Sequence, residues 1–192
     1  MISALLFESF NKYARITAHD FTLIEKYLNR RLVKKRKPLL MEGGISRYIY
    51  FVEKGALRSY TIDKEGTEHV VQLAVEGHWV GDLCSFVSQS AGNINIEAIE
   101  DSELLLLSHH DLELLYEQIP QLERFFRQLF QRAYVTLQQR HNASQSDLAE
   151  VRYQQLIKEH PHLTAHIPLI YIASYLGITP ESLSRIRKQL FS

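Results

Sequence analysis

The sequence predicts an α+β protein in which short antiparallel strands form the first part and helices the second. Runs rich in Val, Ile, Tyr and Phe recur between residues 47 and 108, roughly 8–12 residues apart, with glycines between them. This spacing is typical of a β-sandwich or barrel. After Ser108 no glycine occurs until Gly177, and apolar residues recur at helical intervals. We therefore expect a change from strands to helices near residue 108.

Composition limits the classes of protein that fit. Of the 192 residues, 45% are hydrophobic and 23% charged, so the chain has enough apolar residues for a core. Its 22 basic and 22 acidic residues balance, which excludes a uniformly basic surface but permits a local basic face. No apolar stretch approaches the ~18 residues that indicate a membrane-spanning helix, and the start lacks a signal-peptide pattern. We expect a cytoplasmic protein without membrane contacts.

Metal and redox chemistry have little support. One cysteine, Cys84, cannot form a disulfide or hold an iron–sulfur cluster within one chain. A lone cysteine is more often a small buried hydrophobe than a redox sensor. The nine histidines lack the spacing of a cupin metal site. Since no catalytic motif is present either, we expect neither a metal site nor an enzyme.

Sequence patterns also predict helices before the last twenty residues. Thr17 followed three residues later by Asp20 predicts a capping box at the start of a short helix. After Pro120 a long helix is expected, with a stripe at intervals of four and three residues, which is the coiled-coil spacing. Further apolar residues widen this stripe, so the helix should pack on its own β domain and on a partner helix. The predicted dimer interface is Leu122, Phe126, Leu129, Ala133 and Thr136.

The last twenty residues have the spacing of a helix-turn-helix. Ala173, Gly177 and Leu183 lie at offsets 0, 4 and 10. The small Ala173 allows close approach of two helices, Gly177 can take the left-handed conformation of the turn, and Leu183 fills the angle between the helices. Thr179 is a suitable N-cap with Pro180 at the first helical position. An ordinary packing corner of two helices is the alternative.

The exposed face of the second helix favours a nucleic-acid function. A major groove admits one helix, whose first turns reach the base edges. Arg185 could pair with guanine and Glu181 could accept from cytosine. Residues 140–192 carry six basic and four acidic side chains, and this net charge of +2 is modest, so a dimer is needed to double the contacts. The predicted DNA contacts are Thr179, Glu181, Ser182, Ser184, Arg185, Arg187 and Lys188.

These segments together resemble the Crp/Fnr family of bacterial transcription regulators over nearly the whole chain. The resemblance rests on "YIYFVEKGALRSY", "KEGTEHVVQL" and "GHWVGD" in the first half and on "LGITPESLSRIRK" near the end. It implies a cyclic-nucleotide-binding-like β-roll of eight strands over residues 1–117, a dimerisation helix over 118–142 and a helix-turn-helix domain over 143–192. It also implies a homodimer on a palindrome of double-stranded DNA, with RNA polymerase and a small-molecule effector as further partners.

Within the family, Glu181, Ser184 and Arg185 match the E-x-x-S-R pattern that Fnr-type regulators use on TTGA-like half-sites. Two family features are missing. The N-terminal cysteine cluster of oxygen-sensing members does not occur, so we expect no iron–sulfur cluster. The sequence ends at Ser192, shortly after the recognition helix, so we expect a DNA-binding module that lacks a full wing.

The predicted effector pocket also departs from the family. Cyclic-AMP-binding members carry Gly-Glu-Leu and then an Arg-Ser or Arg-Thr pair that holds the phosphate, whereas this sequence has Asp82 and Gly92-Asn93 at those places. No arginine occurs between Arg58 and Arg124, so a buried phosphate would be poorly compensated. We therefore expect no cyclic-AMP binding of the usual kind. The candidate pocket residues are Gly81, Asp82, Leu83, Cys84, Gly92 and Asn93.

Three further hypotheses remain open at this stage. The β domain could be a metal-dependent cupin enzyme with a helical appendage. It could instead be a cyclic-nucleotide-binding module whose helical end recruits a protein. Finally, "NRRLVKKRKP" places six basic residues within positions 30–37, which could touch DNA, although a solvated face is the more common role of such a run.

Overall fold

The computed structural model describes residues 3–190, and within that range all side chains except those of His162 and Ala165. The described residues form nine helices and eight strands. Within them, no helix combines the length and the apolar character that crossing a membrane requires.

Two short helices precede the strands: α1 (Ala4–Asn11) and α2 (Ala18–Glu25). The predicted capping box at Thr17 is confirmed, since its hydroxyl accepts from the Asp20 amide at 3.1 Å and the Asp20 carboxylate accepts from the Thr17 amide at 2.9 Å. A hydrogen bond that the Thr17 hydroxyl donates to the Asp20 carboxylate at 2.7 Å, together with that from the Thr17 amide, lowers the pKa of Asp20. Helix α1 was not predicted; its N-cap is Ser3, whose hydroxyl accepts from the Leu6 amide at 3.1 Å.

Eight strands form the predicted antiparallel roll. They are β1 (Asn29–Val33), β2 (Pro38–Leu40), β3 (Tyr48–Lys54), β4 (Ala56–Ile62), β5 (Glu68–Val75), β6 (Trp79–Val80), β7 (Asn95–Ala98) and β8 (Ser102–Ser108). One sheet has the order β1-β8-β3-β6 and the other β2-β7-β4-β5. The interior between the sheets is filled by apolar side chains, among them Tyr50, Leu57, Ile96, Leu104 and Leu106.

Strand β8 lies between the interior of the roll and a second core beneath the helices. Its side chains alternate between two faces, as in any strand. Leu104 and Leu106 point into the roll, whereas Leu105 and Leu107 belong to a second core beneath the helices. Because both faces are buried, the strand reads as a continuous apolar run.

The remaining elements are helical: α3 (Leu83–Ser88), α4 (His109–Gln118), α5 (Pro120–Ser146), α6 (Ala149–Glu159), α7 (Pro161–His166), α8 (Leu169–Leu176) and α9 (Pro180–Leu190). Helix α5 begins two residues later and ends four residues later than the expected 118–142. The first turns of α5 lie in an aromatic cluster, where Phe125 is 4.7 Å from Phe10 and 5.0 Å from Phe126 between ring centroids.

This cluster corrects part of the predicted dimer interface. Leu122 and Phe126 are fully buried against the same chain, so a partner helix cannot reach them. Leu129 is partly buried against the same core, whereas Ala133 and Thr136 are exposed. Every side chain from position 131 to position 139 is exposed, so this middle part of α5 is little covered by its own chain.

A third core joins the roll to the helical end. Ala56, Val70 and Leu73 of the second sheet belong to the same buried apolar cluster as Ile172 and Leu183 of the terminal helices. The helix-turn-helix therefore packs directly on the roll of its own chain.

His78 gives this packing a pH dependence. The ring lies 6.1 Å from that of His160, between centroids, and its Nδ1 is 3.0 Å from the Val75 carbonyl. Burial is the main reason that the pKa of His78 is lowered from its ordinary value, and it outweighs the opposing hydrogen bonds to the Val75 and Glu76 carbonyls. The folded state therefore prefers the neutral ring, so the unfolded chain binds more protons near pH 6.5 and stability rises with pH.

We expect the His78 contribution to be complete well above pH 6.5 and to be lost as the pH falls through 6.5 and below, at no more than about 1.4 kcal/mol per pH unit. Urea unfolding between pH 5.5 and 7.5 measures it. His78→Asn keeps a donor near Nδ1 and should flatten the slope of the unfolding free energy against pH. His110→Asn, at an exposed position, is the control, and its slope should be flattened no more than that of His78→Asn. Equal slopes in the wild type and His78→Asn would contradict this prediction.

Candidate nucleic-acid interface

Helices α8 and α9 have the geometry that the sequence spacing predicts. Gly177 has φ 68° and ψ 34°, the left-handed conformation that ends α8. Its amide donates to Ser174 O and the next amide, of Ile178, donates to Ala173 O, both at 3.0 Å. Ala173 and Leu183 are fully buried where the helices meet. The turn therefore fixes the angle between α8 and α9 through backbone bonds and one small and one large side chain.

The first turn of α9 is held by Thr179. Its hydroxyl oxygen accepts from the Ser182 amide at 3.2 Å, as an N-cap does. Hydrogen bonds from its own backbone amide and from Thr179 lower the pKa of Glu181. Glu181 is therefore ionised at neutral pH and can act as an acceptor at the exposed start of the helix.

The predicted DNA contacts do not all lie on one surface. Leu183 and Ile186 face the core, while Ser182 and Arg187 are partly buried, and the Arg187 Nε is buried without a hydrogen-bond partner in the described residues. The exposed positions among the predictions are Thr179, Glu181, Ser184, Arg185 and Lys188.

Gln189 is exposed on the same face and was missed by sequence reasoning. It lies four residues after Arg185, so the helical repeat was the available signal. Arg185 and Gln189 would present adjacent hydrogen-bonding groups to whatever meets the outer face of α9.

Arg152 ties this module to the end of the long helix. Its guanidinium donates to the carbonyls of Asp147 at 2.7 Å and of Leu176 at 3.1 Å. The first of these lies just after α5 and the second at the end of α8. A change in the direction of α5 would therefore be passed to the helix-turn-helix through one side chain.

Strand β5 holds the other side of α8. The Ser174 hydroxyl accepts from the Val70 amide at 3.0 Å and donates to the Glu68 carbonyl at 3.2 Å. Arg140 of α5 donates to the Val71 carbonyl, and its guanidinium stacks on Tyr175 at 4.5 Å from the ring centroid. Helices α5 and α8 thus bond to backbone groups of three residues in the first half of β5, Glu68, Val70 and Val71.

Arg58 is the centre of a buried charged cluster at this junction. It is 4% exposed, and its Nη1 lies 2.6 Å from Glu68 Oε2 and its Nη2 2.8 Å from Glu97 Oε1. The guanidinium carbon stacks 4.0 Å from the Tyr60 ring centroid and 4.3 Å from that of Tyr171 in α8. Burial opposes the charge, but the hydrogen bonds to the two carboxylates prevail and raise the pKa of Arg58. We call these five residues the Arg58 cluster.

The predicted effector pocket is closed by its own residues. Asp82 Oδ1 accepts from the Ser85 amide at 3.0 Å and caps α3, while Oδ2 is buried without a partner among the described residues. A Cβ on Gly92 would lie 2.0 Å from that Oδ2, so the two segments touch. The Gly92 carbonyl and amide bond to the Gly43 amide and Gly44 carbonyl at 2.8 and 3.0 Å.

The other predicted pocket residues surround this contact without forming a phosphate site. Gly81 packs on Ile49, Leu83 is partly buried and Asn93 is exposed. Cys84 is also exposed, which corrects the expectation of a buried hydrophobe. Across the described residues, no three His, Cys, Asp or Glu side chains are placed to hold a metal ion.

Known proteins share the fold of this chain and its order of elements. Residues 30–119 match the sequence model of the cyclic nucleotide-binding domain family. The cyclic AMP receptor protein of Thermus thermophilus is 27% identical over 105 residues, which is 55% of this chain and about half, 48%, of that protein. The fumarate and nitrate reduction regulatory protein of Vibrio cholerae is 24% identical over 187 residues, covering 86% of this chain and 73% of the relative.

Among solved structures, FixK2 from Bradyrhizobium japonicum has a TM-score of 0.76 at 21% identity, covering 85% of this chain and 84% of that one. The protein is thus of the class that joins a cyclic-nucleotide-binding-type roll through a long helix to a helix-turn-helix. Within this class it is similar to the Crp/Fnr transcription regulators, so the resemblance indicated by the sequence is confirmed.

Proposed function

We propose that this protein is a sequence-specific DNA-binding transcription regulator that acts as a homodimer on a palindromic site. The observation that carries the proposal is the exposed polar face of α9, with Glu181, Ser184 and Arg185 opposite the buried Leu183 and Ile186. The names of the bacterial relatives support it. The two copies of α9 would enter the major groove about one helical turn apart.

The chemistry of α9 assigns roles to individual side chains. Arg185 would donate to guanine O6 and N7, and Glu181 would accept from cytosine N4. Thr179 and Lys188 would meet phosphates, which position the helix without reading the sequence. This division predicts that the bound sequence is read mainly by two side chains of each protomer.

Selection of bound DNA from a random pool tests the proposal. We expect enrichment of a two-fold-symmetric sequence whose binding weakens as salt rises. The selection is repeated with Glu181→Ala/Arg185→Ala and with Arg127→Ala, which removes one exposed arginine from α5 instead. The first variant should lose the enriched sequence and the second should keep it. A wild-type pool without any symmetric sequence would refute the proposal.

The dimer would form along the outer face of α5. Phe130, Tyr134 and Leu137 follow each other at four and three residues, and Tyr134 and Leu137 are 62% and 51% exposed. Phe130 still packs on the buried Phe126, with ring centroids 5.8 Å apart, and Tyr134 and Leu137 continue the face beside the exposed Ala133. Large exposed apolar side chains at coiled-coil spacing are typical of a helix that packs on a partner helix.

We expect Leu137→Glu to give monomers in sedimentation velocity experiments, because it would place two carboxylates at one seam. Leu137 is half-exposed within the single chain, so the substitution should leave each protomer folded. Gln139→Glu introduces the same charge on the opposite side of α5 and should remain dimeric. A dimer in both variants would show that the chains associate elsewhere.

Effector control through the roll is the finer part of the proposal. A ligand in the predicted pocket would have to separate Asp82 from Gly92 and would meet an unpartnered carboxylate oxygen. Hydrogen-bond donors suit that oxygen better than a phosphate does. The Arg58 cluster and Arg152 would then connect the roll and α5 to the orientation of α9.

A further inference from the structure

The turn between β1 and β2 is the most basic segment of the roll and takes no part in the site described above. It consists of Lys34, Lys35, Arg36 and Lys37, all exposed, and we call it the basic turn. Its backbone is fixed, since the Lys35 amide donates to Asp101 Oδ1 at 2.9 Å and the Arg36 amide to the Ala98 carbonyl at 2.7 Å. The side chains are therefore presented from one defined place on the roll.

Three of these four charges are not paired with a neighbouring carboxylate among the described residues. The Lys34 ammonium lies 2.7 Å from Asp101 Oδ2. In the part of the chain that the structure describes, Lys35, Arg36 and Lys37 form no ion pair. The basic turn thus presents three unpaired positive side chains of each protomer to the solvent, although the chain as a whole has no net charge. Two of them, Lys35 and Arg36, lie beside the helix-turn-helix.

The fold brings the basic turn to the beginning of the helix-turn-helix. A cleft of ≈ 200 Å³ has Lys35, Arg36 and Ile99 of the roll on one side and Pro168 and Tyr171 of the α8 region on the other. Lys35 and Arg36 are more than 130 positions from Pro168 and Tyr171 in sequence. The start of α8 therefore lies next to a positively charged surface of the roll.

From this placement, and resting on the proposed function, we propose that the basic turn binds phosphates of the DNA that flanks each half-site. In a helix-turn-helix complex the first helix crosses the DNA backbone while the second lies in the groove. Strands of DNA passing α8 would run next to Lys35 and Arg36. Phosphate contacts there carry no base information, so they add affinity for any flanking sequence.

The experiment compares two duplexes that contain the same selected palindrome. The short duplex ends at the half-sites, and the long duplex adds about ten base pairs of arbitrary sequence on each side. Affinities are measured by fluorescence anisotropy at several salt concentrations. We expect the wild type to bind the long duplex about tenfold or more tightly at moderate salt, because two contacts per protomer give four per dimer.

Lys35→Gln/Arg36→Asn removes both charges, and asparagine tolerates the left-handed backbone of Arg36, whose φ is 63°. We expect this variant to bind both duplexes equally and the salt slope on the long duplex to fall by about 3 to 4. The control is Lys26→Gln/Arg47→Asn, which removes the same charge from exposed positions at the opposite end of the β1-β8-β3 sheet. It should behave as the wild type.

The outcomes separate the two proposals. If neither duplex binds the wild type, the proposed function itself fails. If the short duplex binds but the long one is no tighter, or if the variant keeps the gain, the flanking contact is refuted. An equal loss in the control would also refute it, since net charge rather than position would then be responsible. Matching thermal unfolding of the variants verifies that each is folded.

Discussion

Arg58→Met is expected to lower the free energy of unfolding by about 3 kcal/mol, the lower end of the range for breaking a buried ion pair. Arg58 is 4% exposed and forms an ion pair with Glu97, whose side chain is 16% exposed. The substitution would leave this carboxylate without its partner. Glu68 is 44% exposed and can return to water, which limits the loss. Urea unfolding of both proteins at pH 7 measures the difference.

A surface ion pair provides the control for Arg58. Arg30 lies 2.7 Å from Glu53 but its side chain is 53% exposed, so Arg30→Met should cost no more than about 1 kcal/mol. A double-mutant cycle with Tyr171→Leu separates the contact between roll and helix from the contacts within the roll, and a coupling of about 0.5–2 kcal/mol is expected. Zero coupling would mean that α8 does not rest on Arg58 in solution.

Arg185→Ala should weaken binding to the selected palindrome by about 1–3 kcal/mol per half-site. Since both half-sites of a dimer are affected, the total approaches twice that value where the sites are independent. The same substitution should reduce discrimination at one base pair of each half-site, because the bidentate donor to guanine is lost. Affinities for the palindrome and its single-base variants at one salt concentration give both quantities.

Two comparisons make the Arg185 result specific. Arg185→Lys keeps the charge but not the planar fork, so it should lose most of the discrimination as well. Arg127→Ala removes an exposed arginine from α5 and should change neither affinity nor discrimination appreciably. If Arg185→Ala weakens binding equally for all sequences, Arg185 contacts the DNA backbone rather than a base.

Local patterns were sufficient for several parts of the fold. The capping box at Thr17 depends only on neighbours three residues apart, and so does the cap at Thr179. The turn at Gly177 follows from backbone conformation, which one residue type largely determines. The strands were predictable because alternation and turn residues are short-range features.

Long-range contacts were beyond the same reasoning. The stripe of α5 revealed an apolar face but not what covers it, so Leu122 and Phe126 were placed at a dimer seam rather than in the core of their own chain. Arg58 and Tyr171 are more than 110 residues apart, and only the tertiary fold brings them into contact. Once the strand pairing is known, Glu97 opposite Arg58 becomes an evident partner.

Strand β5 is the last strand of its sheet, and its outer edge is where Ser174 and Arg140 bond. An uncovered edge of this kind offers a template on which other chains can add strands and aggregate. The helix-turn-helix therefore also protects the roll from self-association. Any motion that lifts α8 from the roll would have to leave that edge bare, which favours small rotations of α8 over large excursions.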